Sequence, residues 1–272
     1  MTRAQERAAA RRRWEKQQAA AARRSADRDR NKRVVAVVAV LAVVIVGFIV
    51  AAQAIKPGGT TSAGAKTTTT PTTATTNAAG CPMPPNKYGT GAELTLPDKK
   101  PYVGKTYIAT MTTNCGDITL QLDGAKAPQA VASFVQLAQK GYWINSPCHR
   151  LTTSGIYVLQ CGDPTGSGQG SPGYGFAVEN APKDQTYPRG TVAMARTSDP
   201  VKGNGGQFFL VYKDTQLPDK NGYTIFGTIT GGMDIVDKIA KAGVGQAADN
   251  PSDGVPAAPI SILRVTVTEK KA

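Results

Sequence analysis

The feature that most constrains this chain is a run of 22 uncharged, mostly aliphatic residues, VVAVVAVLAVVIVGFIVAAQAI, at positions 34–55. As a helix rising about 1.5 Å per residue it would cross a hydrocarbon core of about 30 Å, so a single transmembrane helix is expected there. Ala52-Gln53-Ala54 also has the form of a signal-peptidase site. A long polar lead and an apolar stretch beyond the usual ~7–15 residues nevertheless suit an uncleaved anchor better. Arg28, Arg30, Lys32 and Arg33 crowd the N-terminal flank, while only Lys56 follows closely. Positive-inside bias therefore sets residues 1–33 in the cytoplasm and everything after 55 beyond the membrane.

Most of the formal net charge of +13 sits in residues 1–33, which carry twelve Lys/Arg against four Asp/Glu. The rest of the chain is only mildly basic, a weak basis for nucleic-acid binding, and nucleic acid is not an expected partner. Residues 56–80 hold ten threonines and no aromatic, too little apolar surface to offset the entropy of ordering. With the proline-rich residues 81–103 they are read as a stalk and transitional segment. All four cysteines, Cys81, Cys115, Cys148 and Cys161, fall on the expected exported side, where disulfides persist.

From Tyr107 onward the pattern changes to short β-type runs broken by turn residues. Strands are expected near 107–112, 117–122, 147–152, 156–161, 191–195, 207–212, 224–229 and 261–268. One amphipathic helix is expected over 127–140, with Pro128 in its first turn and Gly141 as its stop, and a shorter one over 234–240. This is a mainly β domain over 104–269, expected as a closed eight-stranded antiparallel barrel capped by two helices. Four cysteines permit three connectivities. Because Cys148 and Cys161 flank a predicted hairpin, the favoured pairing is Cys148–Cys161 with Cys81–Cys115.

Several chemistries lack support. His149 is the only histidine, no C-x-x-C occurs and no G-x-S-x-G surrounds a serine, so neither a metal site nor a catalytic triad is expected. Gly168-x-Gly170-x-x-Gly173 matches a dinucleotide fingerprint in form only: it contains Pro172 and leads into Phe-Ala-Val rather than a helix, so it is read as a surface loop. No cofactor is expected.

Three ordered stretches carry a family resemblance. They are Cys148-His-Arg-Leu through Leu159-Gln-Cys-Gly-Asp163, then Gly190-Thr-Val-Ala-Met-Ala195 with Gly205-Gly-Gln-Phe-Phe209, and Phe226-Gly-Thr-Ile-Thr-Gly-Gly-Met-Asp-Ile-Val236. Together they resemble the cyclophilins, in a membrane-anchored bacterial form. The resemblance implies a peptidyl-prolyl cis/trans isomerase acting on Pro-containing polypeptides among exported proteins, with Arg150 and Gln160 as catalytic residues. It sets Tyr157, Val158, Phe209 and Leu217 in the hydrophobic pocket and Ala195, Arg196 and Gln207 along the groove, with Tyr223 where a groove histidine is usual. Gln216 stands where many members carry a tryptophan that contacts cyclosporin, so cyclosporin binding is expected to suffer more than catalysis.

Residue chemistry points the same way. X-Pro rotation crosses a barrier of ~18–20 kcal/mol without breaking a bond, so it needs an apolar socket for the ring and a fixed donor toward the twisted imide. Arg150 offers permanent donors in a planar fork. On a strand it points away from His149, which is read as structural, and Phe208 and Phe209 must likewise face opposite sides. The competing readings are a non-catalytic module that holds Pro-containing peptides and a cell-envelope adaptor whose tail is the working part.

Overall fold

The computed structural model describes residues 75–245 and 250–271. The basic tail, the apolar run at 34–55 and the stalk up to residue 74 lie outside the described residues. Among the described residues no helix is long and apolar enough to cross a membrane.

In chain order the elements are β1 (Thr106–Thr113), β2 (Gly116–Asp123), α1 (Pro128–Gln139), β3 (Ser146–Pro147), β4 (Arg150–Thr152), β5 (Val158–Cys161), β6 (Thr186–Tyr187) and β7 (Thr191–Arg196). There follow β8 (Asn204–Val211), β9 (Thr215–Gln216), β10 (Ile225–Gly231), α2 (Met233–Ala242), β11 (Asp253–Gly254) and β12 (Ser261–Glu269). Ten strands make one antiparallel sheet in the order β11-β4-β5-β8-β7-β10-β2-β1-β12-β3, and β6 pairs with β9 separately. The eight expected strands are all represented, but the one expected over 147–152 is split at Cys148-His149. Its halves pair at opposite ends of the sheet, β3 with β12 and β4 with β5 and β11. Two residues of chain, Cys148 and His149, thus link strands towards opposite ends of the sheet, so the sheet curls.

The curl encloses the core. β1 alternates strictly, burying Tyr107, Ala109, Met111 and Thr113, as a strand with one face inward must. Phe134 of α1 sits 4.6 Å from Trp143 and 5.5 Å from Phe208, ring centroid to centroid. The indole N–H of the buried Trp143 is shared between the Gly162 and Gly206 carbonyls, each at 3.2 Å. α1 has no side-chain cap of its own. Instead the Glu179 carboxylate accepts the Gln129 and Ala130 amides at 3.0 and 3.1 Å, meeting the free donors and the positive end of the helix dipole together.

The folded unit begins well before residue 104. Asn77 Nδ2 donates to the Pro259 carbonyl at 2.8 Å, the Leu94 amide to Pro172 at 2.7 Å, and Gln136 Nε2 and Gln129 Nε2 to Thr95 and Pro97 at 2.9 and 3.0 Å. These bonds dock residues 75–103 on α1 and the glycine-rich loop. The Cys81–Cys115 disulfide holds that extension, and Cys148–Cys161 ties the chain on either side of the β4–β5 hairpin.

Candidate active site

Strand register assembles the site. Arg150 is opposite Gln160, Gln160 opposite Phe209, and Phe209 opposite Ala193. Directly opposed residues on antiparallel strands share a face, so these four form a row across β4, β5, β8 and β7. That face carries a second hydrophobic cluster, separate from the main core, built from Val158, Tyr187, Ala193, Phe209, Val211 and Leu217.

Here the surface sinks into a pocket of about 210 Å³ lined by Arg150, Ile156, Val158, Gln160, Ala195, Arg196, Phe209, Leu217 and Tyr223. Eight of the ten residues expected at the site are among them. Gln207 is one step away, bonded to Gln160. Tyr157, expected in the pocket, does not line it. It immediately precedes β5, where its carbonyl still accepts from the Tyr212 amide at 3.2 Å, so its side chain turns to the face opposite Val158; Ile156, in the preceding bend, lines the pocket instead. Tyr157 packs edge-on against Tyr212, 6.0 Å away, with Lys213 Nζ 4.3 Å from its ring centre.

The apolar floor is braced by Tyr187, which the motifs did not mark because it lies on a two-residue strand without hydrophobic periodicity. Its buried ring meets Phe209 and Tyr223 edge-on at 6.3 and 6.2 Å, and its hydroxyl accepts the Tyr223 amide at 2.7 Å. Beside it, Arg196 lies over the Tyr223 ring, 4.9 Å from its centre, and is paired with Asp219.

A polar chain runs along the rim. Asp253 Oδ1 and Oδ2 accept Arg150 Nε and Nη2 at 2.7 and 2.8 Å, and Arg150 Nη1 donates to Gln160 Oε1 at 3.2 Å. Gln160 Nε2 donates to Gln207 Oε1 at 3.0 Å, and Gln207 Nε2 to the Gly168 and Gly170 carbonyls. Each amide accepts on one side and donates on the other, so the chain has one consistent direction. The paired charges favour ionisation of both partners: Asp253 is held below the usual carboxylate range by Arg150, and Arg150 is raised by Asp253.

The glycine-rich stretch read from sequence as a surface loop is the wall of a second, adjoining cavity of about 360 Å³, shared with Gln160, Ala195, Arg196 and Gln207. Asp163, fully buried, organises that wall by accepting from the Thr165 amide and hydroxyl at 2.8 Å, the Ser167 hydroxyl at 3.2 Å and the Gly170 amide at 3.1 Å. Burial pushes its pKa up, but these donors outweigh it and hold it below the ordinary value. His149, outside both cavities, has its pKa lowered by burial, against the pull of Asp163.

The family described as cyclophilin type peptidyl-prolyl cis-trans isomerase/CLD matches residues 108–267, more than half of the chain. The chain belongs to the cyclophilin family. It is 44% identical over 203 residues to the probable peptidyl-prolyl cis-trans isomerase B of Mycobacterium tuberculosis strain H37Rv, covering 69% of this chain and 63% of that protein. A Helicobacter pylori peptidyl-prolyl cis-trans isomerase is 38% identical over 149 residues, covering 54% of this chain and 88% of the relative. The crystal structure of a Cryptosporidium parvum cyclophilin-type isomerase, determined in the presence of the dipeptide Ala-Pro, aligns with TM-score 0.50 and 29% identity over 60% of this chain and 99% of its own. This cyclophilin thus spans just under two thirds of the length of its mycobacterial relatives. Every residue lining the 210 Å³ pocket falls within the matched range, whereas the docked extension at 75–103 precedes it.

Proposed function

We propose that this chain is a peptidyl-prolyl cis/trans isomerase acting on X-Pro bonds of exported polypeptides, with Arg150 and Gln160 as its catalytic residues. The observation that carries the reading is an oriented guanidinium on the rim of an apolar pocket floored by Phe209. A proline ring seated on Phe209, Val158 and Leu217 would hold one side of the imide bond while the preceding residue rotates. As the bond twists, its nitrogen loses conjugation and becomes a better acceptor, so a preorganised Arg150 N–H binds the twisted state more strongly than either planar one. Gln160 holds Arg150 and passes its orientation on to Gln207. The dipeptide present in the related crystal structure supports a proline-containing substrate. A protease-coupled assay on a Pro-containing peptide tests the activity; a protein that binds the peptide without accelerating isomerisation would instead be the non-catalytic module. Gln216, exposed on β9, offers no aromatic contact to cyclosporin, and weak inhibition by it is expected.

We further read residues 34–55 as an uncleaved transmembrane helix, residues 1–33 as cytoplasmic and the isomerase domain as extracytoplasmic, on a stalk that precedes the docked extension. Support comes from the uncharged run, its basic flank and two disulfides, which persist in oxidising compartments. Protease added to intact cells should remove the domain and spare an N-terminal epitope; a soluble mature form beginning near Ile55 would overturn the anchor. The curled sheet is read as a closed barrel, since β3 and β4 are consecutive in the chain yet lie towards opposite ends of the pairing order.

A further inference from the structure

Asp253 lies outside every stretch that carried the family resemblance. It is delivered by β11, a two-residue strand pairing with β4 so that Asp253 is opposite Thr152 and Gly254 opposite Leu151. Its two oxygens take Nε and Nη2 of Arg150 at 2.7 and 2.8 Å, the paired fork that fixes a guanidinium in its plane as well as in position. Of the five N–H groups of arginine, this uses two, and the bond from Nη1 to Gln160 uses a third. Two remain for a substrate.

We infer that Asp253 is the positioning residue for Arg150: it holds the plane of the guanidinium so that the two unclaimed N–H groups are presented to the pocket. Both side chains are over a third exposed, at 38% and 36%. An ion pair this open to water contributes little to stability, so its consequence is orientation rather than folding. Without the carboxylate, one bond to a neutral amide would be left to hold a long, flexible, half-exposed side chain, and misplacement of a reacting group by about 1 Å costs on the order of 10²-fold in rate.

The inference rests on the role proposed for Arg150, and a double-mutant cycle separates the two. kcat, KM and the melting temperature are measured for the full-length chain and for its Arg150→Ala, Asp253→Ala and doubly substituted forms, with Asp253→Asn as the conservative variant. Asp253→Ala is expected to lower kcat/KM by about 10- to 10²-fold, through kcat, with KM and the melting temperature near wild type. In the Arg150→Ala background it should cause no further loss, because the two residues act as one unit. Asp253→Asn, which retains one acceptor, should be intermediate. An equal loss in both backgrounds, or full activity of Asp253→Ala, overturns the positioning role. Full activity of Arg150→Ala overturns the reading of Arg150 itself, and with it the need for positioning.

Discussion

Phe208 and Phe209 are neighbours on β8 that serve opposite faces of the sheet: Phe208 packs edge-on against Trp143 at 5.6 Å inside the core, and Phe209 meets Tyr223 at 5.7 Å on the pocket floor. Their substitutions should differ in kind. Phe208→Ala is expected to cost about 3–5 kcal/mol of stability by leaving a cavity, read from the denaturant midpoint. Phe209→Ala should also weaken peptide binding by roughly 10- to 10²-fold. Unchanged peptide affinity for Phe209→Ala would remove that ring from the proline socket.

Arg150→Ala should lower kcat/KM by roughly 10² to 10³-fold, the scale of removing one preorganised donor, with folding intact. Arg150→Lys should recover little, since a point ammonium cannot keep Asp253 and Gln160 engaged and still present donors in a plane. Steady-state kinetics with circular dichroism as the folding control checks both.

The Cys148–Cys161 bridge closes a short loop, with a sequence separation of 13, around the hairpin that carries Arg150 and Gln160. Replacing both cysteines with alanine should cost on the order of 3 kcal/mol in the loop-entropy account and reduce kcat/KM as the hairpin loosens. The Cys81→Ala, Cys115→Ala pair should lose comparable stability yet keep kcat/KM near wild type, because that bridge anchors the extension. Denaturant unfolding beside kinetics distinguishes the two.

Asp163 supplies a pH dependence whose sign follows from its lowered pKa. The unfolded chain binds the proton more readily, so the contribution of Asp163 is fully present above its unfolded pKa of about 3.9 and is lost as pH falls through the lower folded value. Unfolding free energy measured from pH 6 to pH 2 should fall less steeply in Asp163→Asn than in the wild type. An identical slope would show that the buried carboxylate is not a source of the acid sensitivity.

Gly170 has no room for a side chain: a Cβ there would lie 2.0 Å from Asp163 Oδ1. Gly170→Ala should displace the loop, disturb the carbonyl that accepts from Gln207, and lower kcat/KM most for peptides long enough to reach the 360 Å³ cavity. Comparing short and extended peptides tests this, and equal losses on both would place the effect elsewhere.

The chain sequence alone determined the two helices and the longer strands of the domain, because alternation in β1 and the helical spacing from Pro128 to Gly141 follow from local geometry. Its motifs also brought Arg150, Gln160 and Phe209 to notice, and strand alternation separated Phe208 from Phe209. Tertiary structure decided what depends on pairing between distant segments. Ile156 rather than Tyr157 lines the pocket because Tyr157, bonded to Tyr212 just ahead of β5, turns away from the face that Val158 and Gln160 share. Tyr187 and Asp253 reach the site from two-residue strands too short to leave a periodic signal. The proline-rich residues 81–103 read by composition only as a transitional segment without a long regular element; that they dock was decided by bonds to Pro172 and α1 and by one disulfide, partners that lie elsewhere in the chain.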